Sequence, residues 1–297
     1  MLAARISQGT SMVLKNSNGR VAVSFEVDGT LTDASGNVTV TIVDKELGTT
    51  LVDAQTATNL STGVYYYDLG TSNTSRVRRL KATWSGSFES TSQSRDLYYE
   101  VVGGYLFTEK QIRSFDQSQL SSTSTYTDEM IRDERARVTE LLYDWTGINW
   151  IERYGYAELQ GENSIQINLP DRQINEIISC TITGASQTVS DLKIDKSLGI
   201  VYHKDGTFTF ATRAYPLNVV FEYSNGYTQI TDGVDRIAMK LVINNLVASQ
   251  IVENARSFSD NAGQIDLILE GGPQHNRTRI PEVNAWLDQH SQSIVIY

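Results

Sequence analysis

The sequence predicts an α+β fold, in which an N-terminal immunoglobulin-like β-sandwich is followed by a helical domain with a small antiparallel β-sheet between its two long helices. Residues 20–102 alternate apolar and polar side chains with the two-residue period of strands that have one wet face. Residues 127–147 and 232–256 instead repeat apolar side chains at helical spacing. Short strand-like runs over residues 165–223 place a sheet between these two helices.

The N-terminal region has the turn signals of a sandwich. Asp-Gly, Ser-Gly and Leu-Gly pairs divide it into roughly six or seven short strands with no helical pattern among them. The alternation of Leu80, Ala82 and Trp84 predicts that Trp84 lies in the core. The single cysteine of the chain excludes an antibody-type domain, because that domain needs a disulfide pair.

The first predicted helix has matching start and stop signals. Thr127 suits the N-cap, Gly147 can close the C-terminus, and Asp133 can pair with Arg137 one turn later. Its predicted apolar stripe consists of Ile131, Val138, Leu141, Leu142 and Trp145.

The second predicted helix begins at an Asp232 cap and would be roughly 37 Å long, which is enough to cross a small domain. Its broad apolar face consists of Ile237, Leu241, Ala248, Ile251, Val252 and Ala255. Both predicted stripes are wider than one partner needs. We therefore expect the two helices to pack on each other and on neighbouring subunits through Leu141, Trp145, Leu241 and Ile251.

Glycine and proline mark the predicted domain boundaries. Gly103-Gly104 ends the sandwich, and Gly271-Gly272-Pro273 breaks the chain after the second helix. The expected domains are residues 1–104 (sandwich), 105–270 (helical domain) and 271–297 (extended C-terminal arm).

Composition limits the classes of function. The 297 residues carry 25 Lys and Arg against 35 Asp and Glu, for a net charge of −10, which argues against a protein that grips DNA phosphates. Cys180 lies in an apolar strand-like run and is expected to be a small buried hydrophobe. No segment has the pattern of a signal peptide or the length of a membrane span, so we expect a soluble protein without a signal peptide.

One stretch imitates a catalytic motif. Residues 25–33, Phe-Glu-Val-Asp-Gly-Thr-Leu-Thr-Asp, are similar to the first motif of the haloacid-dehalogenase phosphatases, whose nucleophile is an aspartate. Here Glu26 takes that place, and the antiparallel pattern around it does not suit that fold. The simpler interpretation is a hairpin turn at Asp28-Gly29, and we expect no enzyme.

Other candidate sites have simpler explanations. The histidines at 203, 275 and 290 show no metal-ligand spacing, and the polar residues Asp28, Asp33 and Asn37 are typical of turns as well as of calcium loops. We therefore expect no metal and no cofactor. The basic cluster Arg76, Arg78, Arg79 and Lys81 favours a solvated strand face over a nucleic-acid site. The run Tyr65, Tyr66 and Tyr67 could stack on a sugar but favours a strand that is half core and half surface.

From about Tyr105 onward, the order of segments resembles a known family, the head-to-tail adaptor proteins of long-tailed bacteriophages, also called connector or head-completion proteins. The segments that carry the resemblance are ELLYDWTGINW, NLPDRQINEIISCTITG, LKIDKSLGIVYH and PLNVVFEYSNGYTQITDGVDRIAMKLVINNLV. The last of these is the most specific, because a strand ending in VVFEYSNGY leads through a short loop into a helix.

The resemblance implies a structural virion protein of the neck, made in the host cytoplasm. It implies a homo-oligomeric, dodecameric ring that joins the portal protein to a stopper or tail-terminator protein. Genomic double-stranded DNA would pass through this ring without specific binding, and neither a membrane nor a cofactor is involved. We expect the C-terminal arm, freed by Gly271-Gly272-Pro273, to dock on the portal, with Trp286, Ile294, Val295, Ile296 and Tyr297 as the contact residues. The alternative is that this tail folds back onto the chain's own small sheet.

An alternative from another class remains open at this point. The chain could be a surface-binding protein whose sandwich recognises a glycan or a host envelope component, with the rest of the chain as a stalk. Oligomeric state separates the two hypotheses, since only the first requires rings.

Overall fold

A computed structural model of the chain describes residues 11–89, 91–115, 119–204, 206–209, 216–231, 233–248, 257–260, 263–266, 278 and 280–290. The chain divides into two compact units. We call Met1–Tyr105 with Ile148–Gln229 the β unit, and Leu106–Gly147 with Ile230–Tyr297 the helical unit. The sequence-based domain boundaries stay a prediction, since compactness reports only which segments pack together.

The first part of the β unit is a two-sheet sandwich. Its strands are β1 Ser11–Leu14, β2 Arg20–Ser24, β3 Glu26–Val27, β4 Thr30–Leu31, β5 Thr39–Asp44, β6 Thr50–Thr56, β7 Thr58–Ser61, β8 Val64–Asp68, β9 Arg78–Phe88 and β10 Thr91–Val102. One sheet has the order β1-β10-β9-β5-β6 and the other β2-β8-β7, while β3 and β4 form a separate hairpin. Strand β1 pairs parallel to β10, and the other pairs of these sheets are antiparallel.

Alternating residues from both sheets form one shared core. Val23 from the smaller sheet and Ile42, Leu80 and Trp84 from the larger one are fully buried in it. The predicted core position of Trp84 is confirmed. Because the two sheets close one apolar interior, their outer faces are left for other contacts.

The second part of the β unit, residues 148–229, is a small β module. Its strands are β11 Arg153–Leu159, β12 Gln166–Asn168, β13 Ile174–Ile182, β14 Ala185–Ser186, β15 Leu192–Asp195, β16 Ile200–His203 and β17 Val219–Asn225. They form the sheets β11-β17-β13-β14 and β12-β16-β15 around a core that contains Phe208, Phe221 and Tyr223. Cys180 is buried in this core, as predicted, and burial raises the pKa of its thiol to about 12.

The predicted fold class is wrong in its helical part. The chain is mostly β, and its described helices are the four short ones α1 Glu109–Ser114, α2 Asp128–Thr146, α3 Val234–Ala248 and α4 Pro281–His290. The helical unit also contains the hairpin strands β18 Ser257–Asp260 and β19 Gly263–Asp266. Helix α3 has 15 residues in place of the long helix predicted over 232–256, of which Asp232 and residues 249–256 lie outside the described residues. Apolar periodicity marked the helix correctly but overstated the helical share of the fold.

Helix α2 confirms the predicted caps. The side chain of Thr127 accepts a hydrogen bond of 3.2 Å from the amide of Met130, and Gly147 ends the helix in the left-handed conformation at φ 66°. The predicted ion pair at the helix surface is different, because Arg137 pairs with Glu134 at 2.7 Å in place of Asp133. No described helix is long and apolar enough to span a lipid bilayer.

Candidate functional site

The candidate assembly site is the set of helices in the helical unit. Helices α2 and α3 pack on each other, and α4 packs on both of them. A side-chain hydrogen bond of 2.7 Å from Asn245 Nδ2 to Glu134 Oε1 links α3 to α2. Two segments separated by the whole β module therefore meet in one unit with a directional contact.

The four predicted assembly residues differ in how far they are buried. Leu241 is 3% exposed and lies inside its own chain, whereas Leu141 and Trp145 are half-buried. Ile251 lies outside the described residues. Leu141 and Trp145 therefore keep accessible apolar surface, and Leu241 serves the fold of the helical unit.

The buried stripe of α2 differs from the prediction by including polar side chains. The buried residues of α2 are Ile131, Arg135, Val138, Thr139, Leu142 and Thr146. Thr139 and Thr146 direct their hydroxyls to the carbonyls one turn earlier, so that both can be buried at little cost. Leu141 and Trp145 flank this stripe.

Arg135 is the buried charged residue of α2, and the sequence reasoning missed it, as it missed the two buried threonines. It is 3% exposed, donates a hydrogen bond of 2.8 Å from Nη1 to the carbonyl of Phe107, and lies 3.5 Å from a carboxylate oxygen of Glu109. The spacing Ile131, Arg135, Val138 places it on the apolar face, and this spacing was the available signal. The contact fixes α2 to the segment that leads into α1.

Helix α4 closes the helical unit. Val283, Trp286 and Leu287 are buried, and Trp286 is 8% exposed with its ring stacked on His290 at a centroid distance of 4.3 Å. Glu282 forms ion pairs with Arg236, at 2.7 Å, and with Lys240 on α3. Trp286 thus contacts its own unit, while the other predicted docking residues, Ile294, Val295, Ile296 and Tyr297, lie outside the described residues.

The pKa of one carboxylate on α2 is shifted from its usual value. Burial, together with the neighbouring charges of Glu129 and Glu134, raises the pKa of Asp133 to about 6. The folded helix therefore holds a group that changes its charge just below neutral pH.

The phosphatase-like stretch forms a hairpin. Asp28 and Gly29 have φ 51° and 78° and form the turn between β3 and β4, which confirms the predicted turn. Glu26, at the nucleophile position, is exposed. Asp33 accepts a hydrogen bond of 2.8 Å from the amide of Gly63 and one of 2.9 Å from Asn59, and the first of these contacts contributes most to lowering the pKa of Asp33. The hydrogen bonds of Asp33 therefore connect two segments of the same sandwich.

The basic cluster is paired with acidic groups. The shortest distances are 3.5 Å from Arg76 to Asp44, 3.8 Å from Arg78 to Asp44, 3.7 Å from Arg79 to Glu46 and 2.8 Å from Lys81 to Asp96. Such paired cations offer little free charge to phosphates. The predicted solvated strand face holds for Arg79 and Lys81 on β9, whereas Arg78 is buried and Arg76 precedes the strand.

The tyrosine run offers little stacking surface. Tyr65 lies in the core, and the guanidinium of Arg20 covers the ring of Tyr66 at 3.7 Å. Among the described residues, no group of three or more His, Cys, Asp or Glu side chains could hold a metal ion. No protein-family model matches the chain, and a comparison with curated proteins finds no similar sequence.

Proposed function

We propose that this chain is a structural virion protein of a long-tailed bacteriophage, which assembles into a ring between the portal and the tail-side proteins. The observation that carries the proposal is the meeting of α2 and α3 in one unit, although residues 148–229 separate them in sequence. This helix, β module and helix order is also the order of segments on which the resemblance to the adaptor family rests.

The half-buried apolar residues on α2 are the proposed contact with a neighbouring subunit. Leu141 and Trp145 flank the stripe that packs inside the helical unit, so a second helix could cover them without disturbing that packing. Tryptophan is a frequent anchor in interfaces, because it removes a large apolar area from water. We expect Trp145 to contribute most.

The charge of the chain suits a conduit for DNA. Each phosphate contact adds salt-dependent affinity, and a channel through which a genome passes must keep that affinity low. A net charge of −10, together with the pairing of the basic cluster with acidic groups, supports this part of the proposal.

Electron microscopy and mass photometry of the purified chain, with and without portal protein, test the proposal. Rings of uniform size are the expected result. A chain that stays monomeric at all concentrations and also in the presence of portal protein would contradict it.

The variant Trp145→Ser tests the proposed contact. We expect a folded monomer, because Trp145 lies outside the buried stripe, with rings that are lost or weakened at least tenfold. The matched control is Tyr98→Ser, which removes an exposed aromatic side chain from the sandwich and should leave rings intact. Equal ring formation by both variants would place the subunit contact elsewhere.

A further inference from the structure

We propose that the sandwich and the β module form one rigid body, and that a buried ion pair fixes their relative orientation. We call this ion pair, between the side chains of Glu100 and Arg153 with Lys15 and Glu152 beside them, the latch. This inference goes beyond the proposed function and does not depend on it. All four residues belong to the β unit.

Glu100 lies where the strand pattern predicts a solvent-exposed side chain. Its neighbours on β10, Tyr99 and Val101, are buried in the sandwich core, so Glu100 points out of the opposite face of the sheet. It is nevertheless only 1% exposed, because strand β11 of the β module lies against that face. A carboxylate in such a place requires a partner of opposite charge.

Arg153, at the start of β11, is that partner. Its Nε lies 3.1 Å from Oε1 of Glu100, and its Nη2 contacts Oε2 of the same carboxylate. A two-pronged contact between planar groups fixes direction as well as distance. The pair therefore defines one arrangement of β11 on the sandwich sheet.

A second contact lies beside the first. Lys15 Nζ approaches Glu152 Oε1 at 3.1 Å, and the amide of Gly103 donates a hydrogen bond of 2.8 Å to the carbonyl of Glu152. A Cβ atom at Gly103 would lie 2.5 Å from the Cβ of Glu152, so a larger residue at Gly103 would displace Glu152. The end of β10 and the start of β11 are thus held from two sides.

The expected role of the latch is orientation more than stability. Burying two charges costs about as much as their attraction returns, and apolar residues of similar volume often stabilise a junction equally well. Apolar contacts are non-directional and allow a surface to settle in several ways. The charged pair is therefore expected to select one arrangement among several of similar free energy.

The experiment measures the distance between two spin labels in the full-length chain. Cys180→Ala removes the native thiol, and labels are attached through Ser92→Cys on β10 and Ser186→Cys on β14, both at exposed positions. In the otherwise native chain we expect one narrow distance distribution.

Two variants test the latch. Glu100→Met with Arg153→Met replaces the ion pair by apolar side chains, and Arg153→Lys keeps the charge but loses the planar fork. We expect both to broaden the distribution at least about two-fold or to add a second distance. If the double variant fails to fold, Arg153→Lys alone decides, because it keeps the charge balance.

The matched control replaces an exposed ion pair of the sandwich. Arg20→Met with Asp68→Met removes a pair of 2.8 Å that lies at the surface, and the native distribution should be unchanged. Two results would overturn the proposal. One is a native chain whose distribution is as broad as that of the variants, and the other is a native width in the foldable latch variants.

Discussion

Truncation of Leu241 to alanine should destabilise the helical unit severely. Leu241 is 3% exposed on α3, and a leucine-to-alanine change in a core costs about 2–5 kcal/mol, through lost transfer free energy and the cavity that remains. The close packing of α3 on α2 and α4 limits collapse around the cavity, so we expect a value of about 3 kcal/mol or more.

The same substitution at Leu141 is the matched control. Leu141 is half-buried on the flank of α2, so the change should cost only about 1 kcal/mol in the free energy of unfolding. In the proposed ring it should instead weaken assembly. The two substitutions should therefore have different effects. Leu241→Ala should destabilise the fold, whereas Leu141→Ala should weaken the contact between subunits.

Urea denaturation gives both values. Far-UV circular dichroism follows the helices, and tryptophan fluorescence reports on both units, since Trp145 and Trp286 belong to the helical unit while Trp84 and Trp150 belong to the β unit. A loss below about 1 kcal/mol for Leu241→Ala would refute the packing of α3 described above. A loss for Leu141→Ala equal to that of Leu241→Ala would place Leu141 in the core and remove it from the proposed contact.

Three further predictions concern ionisation, backbone and domain integrity. The folded-state pKa of Asp133 is raised to about 6, so the folded chain binds the proton more tightly than the unfolded chain. The free energy of unfolding should therefore fall as pH rises from about 4 to 6. Thermal melts of Asp133→Asn should show a flatter pH dependence and a higher melting temperature at neutral pH than the native chain. Gly226→Ala should be far more harmful in urea titrations than Gly184→Ala, because both have positive φ but only at Gly226 would a Cβ meet backbone, 2.1 Å from the carbonyl oxygen of Ile151. Deletion of residues 1–104 removes the carboxylate that faces Arg153, so we expect the remaining chain to be poorly soluble or to melt earlier; equal melting of the two chains would show that the β module is independent of the sandwich.

Local features of the fold were predictable from the sequence because local chemistry determines them. Thr127 and Gly147 act within one helical turn of α2, and Asp28-Gly29 needs only two strands and positive φ. The alternation around Trp84 likewise requires only that one face of the strand be dry. Each signal and its structural result lie within a few residues of each other.

The misjudged features depend on contacts between distant segments. Glu100 looks like a solvent-facing residue until β11 covers it, and Arg153, its partner, is 53 positions away. Arg135 interrupts an apolar stripe with a charge, and its burial is explained by contacts that lie outside α2, with the carbonyl of Phe107 and the carboxylate of Glu109. The helical share of the fold was overestimated because periodicity reports which residues face a partner, and not how much of the chain is helical.

Three joints between distant segments contain polar contacts that are buried or half-buried. Glu100 joins the sandwich to the β module, Arg135 joins α2 to the segment before α1, and Asn245 joins α3 to α2. Each is directional, so each permits one relative placement where apolar packing alone would permit several. A ring closes only if every copy repeats the same rotation relative to its neighbour, and an error of a few degrees per copy accumulates around it. The proposed ring therefore requires subunits whose segments are held in one relative orientation, and stability alone is not enough. This requirement is a physical reason for buried charges at positions where apolar residues would allow the chain to fold equally well.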